Sequence, residues 1–417
     1  MSQNFSKDQI CIVIGASHAG VNFAFSLRKE GWEGRIILFD KDPVFPYHRP
    51  PLSKAYLTSN DAIEKNLLKS AESYEKAGIE LQLGITVSNI HEHDKCITLT
   101  NGTSYKYDQL VMAVGARPII PPINGLDTAN NVFALRTATD VEKIKQSLTQ
   151  STQKRVVVIG GGYIGLETAA SLKKLGATVT VLEREARILA RVTAPEMSDF
   201  FEKLHGDNEV SVLTNKNVIE VAHHKNINEV VCADGARYSA DIIIVGVGIH
   251  VNLELAKQAN LEIENGIKVD ETAKAKEAIY AIGDCTFHYN PHYGRFIRLE
   301  SVQNAVDQSK TAAAAICGKH PVYNSIPWFW SDQYDVKLQM VGLSTGYNKV
   351  LVRKEIGETT KFSIWYFKDQ ELLAVDAVNN AKAYVLGTKF IKNRNLIDQE
   401  KLVNPNAEFK ALNLVQS

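Results

Sequence analysis

Apolar residues along the first 290 positions come in short unbroken blocks that mostly end in glycine. The blocks are QICIVIG (9–15), QLVMAVG (109–115), RVVVIGGG (155–162), DIIIVGVG (241–248) and AIYAIGDC (278–285). RIILFD (35–40) is a further block, and it ends in an acid instead. Blocks of this length bounded by glycine read as buried strands of a doubly wound α/β sheet. Between the first two of them in chain order lies VNFAFSLRKEG (21–31), a helical stretch with Gly31 as its C-terminal stop. After Pro327 the pattern changes to aromatic and β-branched runs, WFWSDQYDVKLQMVG, VLVRK, KFSIWYF and ELLAVDAVN. These predict a small antiparallel sheet, followed by helices near 380–417, with Trp328 and Trp330 in its core.

The pattern repeats. GASHAG (15–20), its helix and RIILFD return as GGGYIG (160–165), a second helix and TVTVLE (178–183). Gly15, Ser17, Gly20 and Gly31 stand 145 positions before Gly160, Gly162, Gly165 and Gly176, and Asp40 stands 143 before Glu183. Strand, glycine turn, helix, strand and acid form a dinucleotide-binding unit. The first glycine makes the turn, the second lets backbone approach a pyrophosphate, and the third lets helix pack on strand. The helix N-terminus offers free N–H groups to phosphate, and the acid accepts ribose hydroxyls. The first copy departs from the pattern by having Ser17 in place of the middle glycine. NGTSYKYDQLVMAVGARP (101–118) and DGARYSADIIIVGVGIHV (234–251) form a second duplication, offset by 133. Each reads as a polar hairpin and a buried strand leaving through glycine. Two units predict two nucleotides.

Composition narrows this picture without redirecting it. The 417 residues exceed one ordinary core, and 45% hydrophobic with 23% charged residues is a globular balance. Lys plus Arg and Asp plus Glu are 47 each, which argues against a nucleic-acid binder. Cys11, Cys96, Cys232, Cys285 and Cys317 are scattered and odd in number, with no Cys-x-x-Cys. That excludes a disulfide scaffold or zinc ribbon, predicts no metal site, and fits a reducing compartment. With no long apolar run and no signal-peptide pattern, the expected location is cytoplasmic, with no membrane partner. One segment stays unexplained at this point: FPYHRPPLSKAYL (45–57), a proline corner flanked by Arg49 and Lys54.

Together the two glycine units, the Gly283-Asp284 strand end and the corner resemble the FAD-dependent pyridine-nucleotide oxidoreductases of the glutathione-reductase fold. GWEG (31–34), the corner itself, GGGYIGLE, RVTAPE (191–196) and WFWSDQYDVKLQMVGL (328–343) are similar to the ferredoxin reductase branch. The resemblance implies two Rossmann-like nucleotide-binding domains plus a small α+β C-terminal domain. FAD would take 1–116 with 249–325, NAD 117–248, and an interface domain 326–417. For FAD it implies Gly15, Ser17, His18, Ala19, Gly20, Arg49, Lys54, Val87, Ala113, Gly115, Arg136, Gly283, Asp284, Ser301, Val302 and Trp330. The adenosine contact falls on Asp40 by the internal repeat and on Lys41 by the family pattern. Read from the residues alone, Asp284 serves equally as the cap of a following helix. For NAD it implies Gly160, Gly162, Tyr163, Ile164, Gly165, Glu167, Glu183, Arg184, Arg191, Gly246 and Gly248.

The family's redox cysteines have no counterpart here, since the positions before the corner are Pro43, Val44, Phe45 and Pro46. Electrons must therefore leave the flavin directly for a one-electron acceptor. The resemblance pairs Lys54 with Glu167 beside flavin N5, although Glu167 read alone is a solvated helix residue. Glu183 predicts NADH over NADPH, against which Arg184 is a caution. The implied activity is NADH-dependent reduction of a [2Fe–2S] ferredoxin that serves a P450 or Rieske oxygenase, by a monomer or weak dimer. Arg295 and Arg298 supply either a steering patch for that acidic partner or a solvated loop. The alternatives are a rubredoxin or monodehydroascorbate reductase, or an apoptosis-inducing-factor-like flavoprotein.

Overall fold

The computed structural model describes residues 6–224 and 227–416. The chain divides into two compact units. One comprises residues up to His48, Ala62–Arg117 and His250–Pro327; the other comprises Arg49–Asp61, Pro118–Ile249 and the chain from Trp328 onward. The proline corner thus belongs to the second unit.

The first unit is built on a six-stranded sheet. Its order is Lys274–Lys276, Ile279–Ala281, Gln109–Met112, Ile10–Ile14, Arg35–Asp40, Ile79–Leu83. All neighbours are parallel except the Lys274–Lys276 edge. Central strands covered on both faces need apolar residues at every position, and this explains the unbroken blocks. Helix His18–Glu30 ends at Gly31, whose φ of 104° is left-handed. The Ala-rich helix Val302–Ile316 contributes Ala305, Ala312 and Ala313 to the same core as Phe23, Ala24 and Leu27. Ser309 Oγ donates to the Ala19 carbonyl at 2.7 Å.

In the second unit the parallel sheet runs Ser211–Leu213, Thr178–Leu182, Arg155–Ile159, Ile242–Val245, Val132–Phe133. The strand before each glycine turn holds the same place in its sheet, flanked by the acid-ending strand and the glycine-exit strand. The duplicated hairpins belong to matching three-stranded sheets, Val87–His91/Cys96–Leu99/Ser104–Lys106 and Val218–His224/Ile227–Cys232/Arg237–Ala240. The C-terminal part is a five-stranded antiparallel sheet followed by helix Ala381–Asn393.

Two expectations change. Trp328 and Trp330 lie on the edge strand Trp328–Gln333, with Trp328 36% exposed and Trp330 half-buried. The core of that sheet is instead Trp365, Tyr366, Phe367 and Phe390. The second concerns Asp284, which caps no long helix: a 3-10 turn, Gly283–Cys285, leads straight into strand Thr286–Asn290. Gly283 has φ 81°, and its N–H is held by Gln308 Oε1 at 2.8 Å.

Candidate active site

Each glycine turn is closed by its own acid. In the first unit, Asp40 Oδ2 accepts the Ala16 N–H at 2.6 Å and Oδ1 accepts the Asp42 N–H at 2.9 Å. In the second, Glu183 Oε2 accepts the Gly161 N–H at 2.6 Å and Oε1 accepts the Glu185 N–H at 2.8 Å. Of the two adenosine candidates, Asp40 contacts the turn and Lys41 is exposed. Gly15 and Gly160 have φ 105° and 108°, and a Cβ on either would lie 2.3 or 2.5 Å from the carbonyl oxygen of Ala113 or Gly246. A Cβ at Gly20 or Gly165 would lie 1.9 or 2.2 Å from the oxygen of Gly15 or Gly160. In front of Gly162 a Cβ would meet no protein atom within 4 Å. Protein packing leaves that space open, where the repeat predicts a pyrophosphate.

The corner is a 3-10 turn, Pro50–Ser53, running into the short helix Ala55–Thr58. Proline suits the start of a helical turn because its φ is preset and no N–H is lost from the ladder. The turn carries Ser53 and Lys54 onto helix Tyr163–Lys174, where Glu167 and Ser171 stand one turn apart on one face. Glu167 Oε2 accepts Lys54 Nζ at 2.5 Å and Ser53 Oγ at 2.6 Å, while Oε1 accepts Ser331 Oγ at 2.7 Å. Ser171 Oγ donates to the Ser53 carbonyl at 2.7 Å. Glu167 is 2% exposed, so the solvated-helix reading is overturned. A charge this deep persists only when paired and hydrogen-bonded.

Sequence reasoning missed Ser53, Ser171 and Ser331. The serine four residues after Glu167 was the available signal. Among the other predicted residues, Arg49 Nη1 donates to the Arg136 carbonyl at 2.7 Å, joining two of the FAD candidates. Arg184, exposed, pairs with Glu185 at 2.9 Å. Arg191 lies beside Gly248, since a Cβ there would meet its Nη2 at 3.8 Å. Tyr163 donates to Met340 Sδ at 2.8 Å, and burial pushes its phenol far up. Ile164 is exposed, whereas Val87 and Ala113 are buried. Ser301 caps helix Val302–Ile316, its side chain accepting the Asn304 N–H at 3.1 Å. Arg298 pairs with Glu300 at 2.5 Å, which neutralises half of the imagined basic patch; Arg295 is exposed.

A family model described as pyridine nucleotide-disulphide oxidoreductase matches residues 10–309. The chain belongs to that family. A second model, described as reductase C-terminal, matches residues 328–413. Putidaredoxin reductase of Pseudomonas putida is 40% identical over 401 residues, covering 95% of this chain and 93% of the relative. The 5,5′-dehydrodivanillate O-demethylase ferredoxin reductase subunit of Sphingobium sp. is 38% identical over 412 residues, covering 97% and 98%. The solved covalent putidaredoxin reductase–putidaredoxin complex superposes with a TM-score of 0.92 at 38% identity, covering 97% of this chain and 98% of that one.

As a member of the pyridine nucleotide-disulphide oxidoreductases the chain is an FAD-dependent enzyme using a nicotinamide nucleotide. Its residues fit both groups, because each glycine turn leads into a helix N-terminus, with open space in front of Gly162 in the second turn and only the small Ser17 at the same place in the first. The disulphide of the family name has no counterpart among its free cysteines. Burial pushes the Cys285 thiol up to about 12 and the Cys11 thiol higher still, so neither supplies a thiolate. No helix among the described residues is long and apolar enough to cross a membrane, and no acid, histidine or cysteine cluster there could hold a metal.

Proposed function

We propose that this oxidoreductase is an NADH-dependent ferredoxin reductase working in a reducing cytoplasm. The overall reaction is NADH + 2 oxidised ferredoxin → NAD⁺ + 2 reduced ferredoxin + H⁺, with a [2Fe–2S] protein as acceptor and an oxygenase of P450 or Rieske type beyond it. FAD supplies the conversion of a two-electron donor into single electrons. The observation that carries the reading is the pairing of Lys54 with the buried Glu167, one turn into the helix of the second glycine turn, in a chain with no cysteine in the positions before its corner.

The chain's own residues bind, orient and exclude water. Gly160–Gly165 would hold the NADH pyrophosphate, and Glu183 would accept from the adenosine ribose and repel a 2′-phosphate. Gly15–Gly20, Asp40, Gly283 and Asp284 would hold FAD, and Lys54 would supply positive charge that stabilises the reduced flavin. Glu167 orients the Lys54 ammonium. Trp330, on an edge strand, is surface that an acceptor can reach.

The test is anaerobic. The purified yellow holoenzyme is mixed with NADH and a putidaredoxin-type [2Fe–2S] ferredoxin, and reduced ferredoxin is counted. Two per NADH, with cytochrome c reduced quickly only when ferredoxin is present, is the expected result. Equal turnover with rubredoxin or a quinoid acceptor overturns the acceptor assignment. Slow oxidation with a long-lived flavin–NAD charge-transfer band points to a signalling flavoprotein instead.

A further inference from the structure

Beyond Ser331 the hydrogen bonds around Glu167 continue. Gln333 Nε2 donates to Ser331 Oγ at 3.2 Å; Gln333 Oε1 meets His205 Nε2 at 2.8 Å; and His205 Nδ1 meets the Tyr334 hydroxyl at 3.2 Å. Ser331, Gln333 and His205 are at most 1% exposed, and Tyr334 is half-buried. His205 lies on helix Pro195–Asp207 and the others on the edge strand Trp328–Gln333 and the turn after it. All four belong to the second unit, with Glu167 and Lys54.

The direction of every bond follows from the first. A carboxylate only accepts, so Ser331 spends its one hydrogen on Glu167. Its oxygen must then accept, which requires the Gln333 nitrogen to face it and the Gln333 oxygen to face His205. An amide oxygen only accepts, so His205 Nε2 carries a hydrogen. In the neutral ring Nδ1 is then an acceptor, and the Tyr334 hydroxyl donates to it. Burial lowers the His205 pKa, with the Gln333 bond opposing, which favours the neutral ring.

We propose that Gln333 and His205 are positioning residues for the Lys54–Glu167 pair. The one-way chain from Tyr334 through His205, Gln333 and Ser331 holds the Glu167 carboxylate in one orientation. Conversely, the charge on Glu167 dictates which ring nitrogen of His205 is protonated. Such chains strengthen bond by bond where water is excluded. The kinetic consequence, but not the structural coupling, rests on the ferredoxin reductase reading above.

Two measurements on the holoenzyme test it. In the first, nitrogen-15 histidine labelling reads the His205 tautomer, with the signal assigned by its loss in His205→Gln. A single Nε2–H tautomer is expected in the natural protein. In Glu167→Gln the new amide can donate to Ser331 and the chain can reverse, so the Nδ1–H tautomer is expected to appear. A natural-protein Nδ1–H tautomer, or His205 signals unchanged by Glu167→Gln, overturns the coupling. In the second, Gln333→Met keeps the volume and stays neutral but removes both the donor to Ser331 and the acceptor from His205. NADH-driven flavin reduction should slow about tenfold, with bound-flavin absorbance retained. Gln333→Leu should slow it equally. A reduction rate unchanged in the flavin-loaded Gln333→Met protein removes the positioning role. Because the tautomer readout needs no ferredoxin, failure of the acceptor assignment stays distinguishable from failure of the chain.

Discussion

At the middle position of the glycine turn the first unit has Ser17 and the second has Gly162, while the first and third positions are glycine in both. The structure explains why only the middle one varies. Gly15 and Gly160 have positive φ and lie against a neighbouring strand's carbonyl, and Gly20 and Gly165 lie against the oxygen of the glycine that opens their own turn. Those four are demanded by the protein's own backbone. Gly162 has φ −82°, which any residue adopts, and open space at its Cβ. The protein's own packing makes no demand for glycine there; in the proposed function the demand comes from the bound pyrophosphate, so two kinds of requirement would sit side by side in one motif.

The sharpest way to break this distinction is at the third glycine. Gly20→Ala and Gly165→Ala should each cost about 4 kcal/mol or more, because backbone must move to admit the methyl. Thermal melting of the holoenzyme, with flavin absorbance followed in parallel, reads both. A Gly165→Ala protein melting like the natural one would mean the turn is softer than its contacts indicate.

A second asymmetry gives the next largest effect. Glu167 of the second helix corresponds at the same offset to Asn22 of the first, whose amide merely donates to the His18 carbonyl of its own helix at 2.7 Å. One copy has turned this position into a buried ion pair. Lys54→Met should slow NADH-driven flavin reduction roughly hundredfold, as removal of one preorganised charge does. It should also cost about 3 kcal/mol or more by leaving Glu167 buried and unpaired. Asn22→Leu should leave the hydride-transfer rate unchanged. Stopped-flow reduction of both variants separates the copies, and a Lys54→Met rate within twofold of natural removes Lys54 from the chemistry.

Glu183 offers a smaller handle. It holds the turn and, in the proposed function, the ribose, so Glu183→Ser should relax the kcat/KM preference for NADH over NADPH by about tenfold. With Arg184 already paired to Glu185, little extra attraction for a 2′-phosphate is expected until Glu185 is also removed.

Much of this was legible in the chain. Unbroken apolar blocks gave both parallel sheets, and the 145-residue offset matched elements that occupy equivalent places in two sheets. Lys54 and Glu167 were legible only through resemblance, since no local pattern shows that a corner at 49–61 folds with a helix more than 100 residues later. The serine, glutamine and histidine around Glu167 were not legible at all. Side-chain hydrogen bonds across 114 to 164 residues leave no periodicity in sequence. The tryptophans misled for a related reason: on an edge strand an aromatic residue has one face to bury and one to show, and composition does not say which.

The smallest predicted effect discriminates best, because it exchanges the two copies at the one motif glycine where they differ. Gly162→Ser puts a side chain where no protein atom stands, in a backbone conformation serine accepts, at the N-cap position that favours it. Stability should therefore change by no more than about 0.5 kcal/mol, and in the favourable direction. The effect should appear in binding alone, as a severalfold rise in KM for NADH with the rate at saturation kept. Ser17→Gly, the reciprocal change, should leave flavin binding intact, since the backbone there already takes an extended N-cap conformation with φ −99° and ψ −156°. If Gly162→Ser instead lowers the melting temperature by several degrees with NADH binding undisturbed, the middle glycine answers to the protein's own packing. The ligand-imposed reading of the motif then fails in this chain.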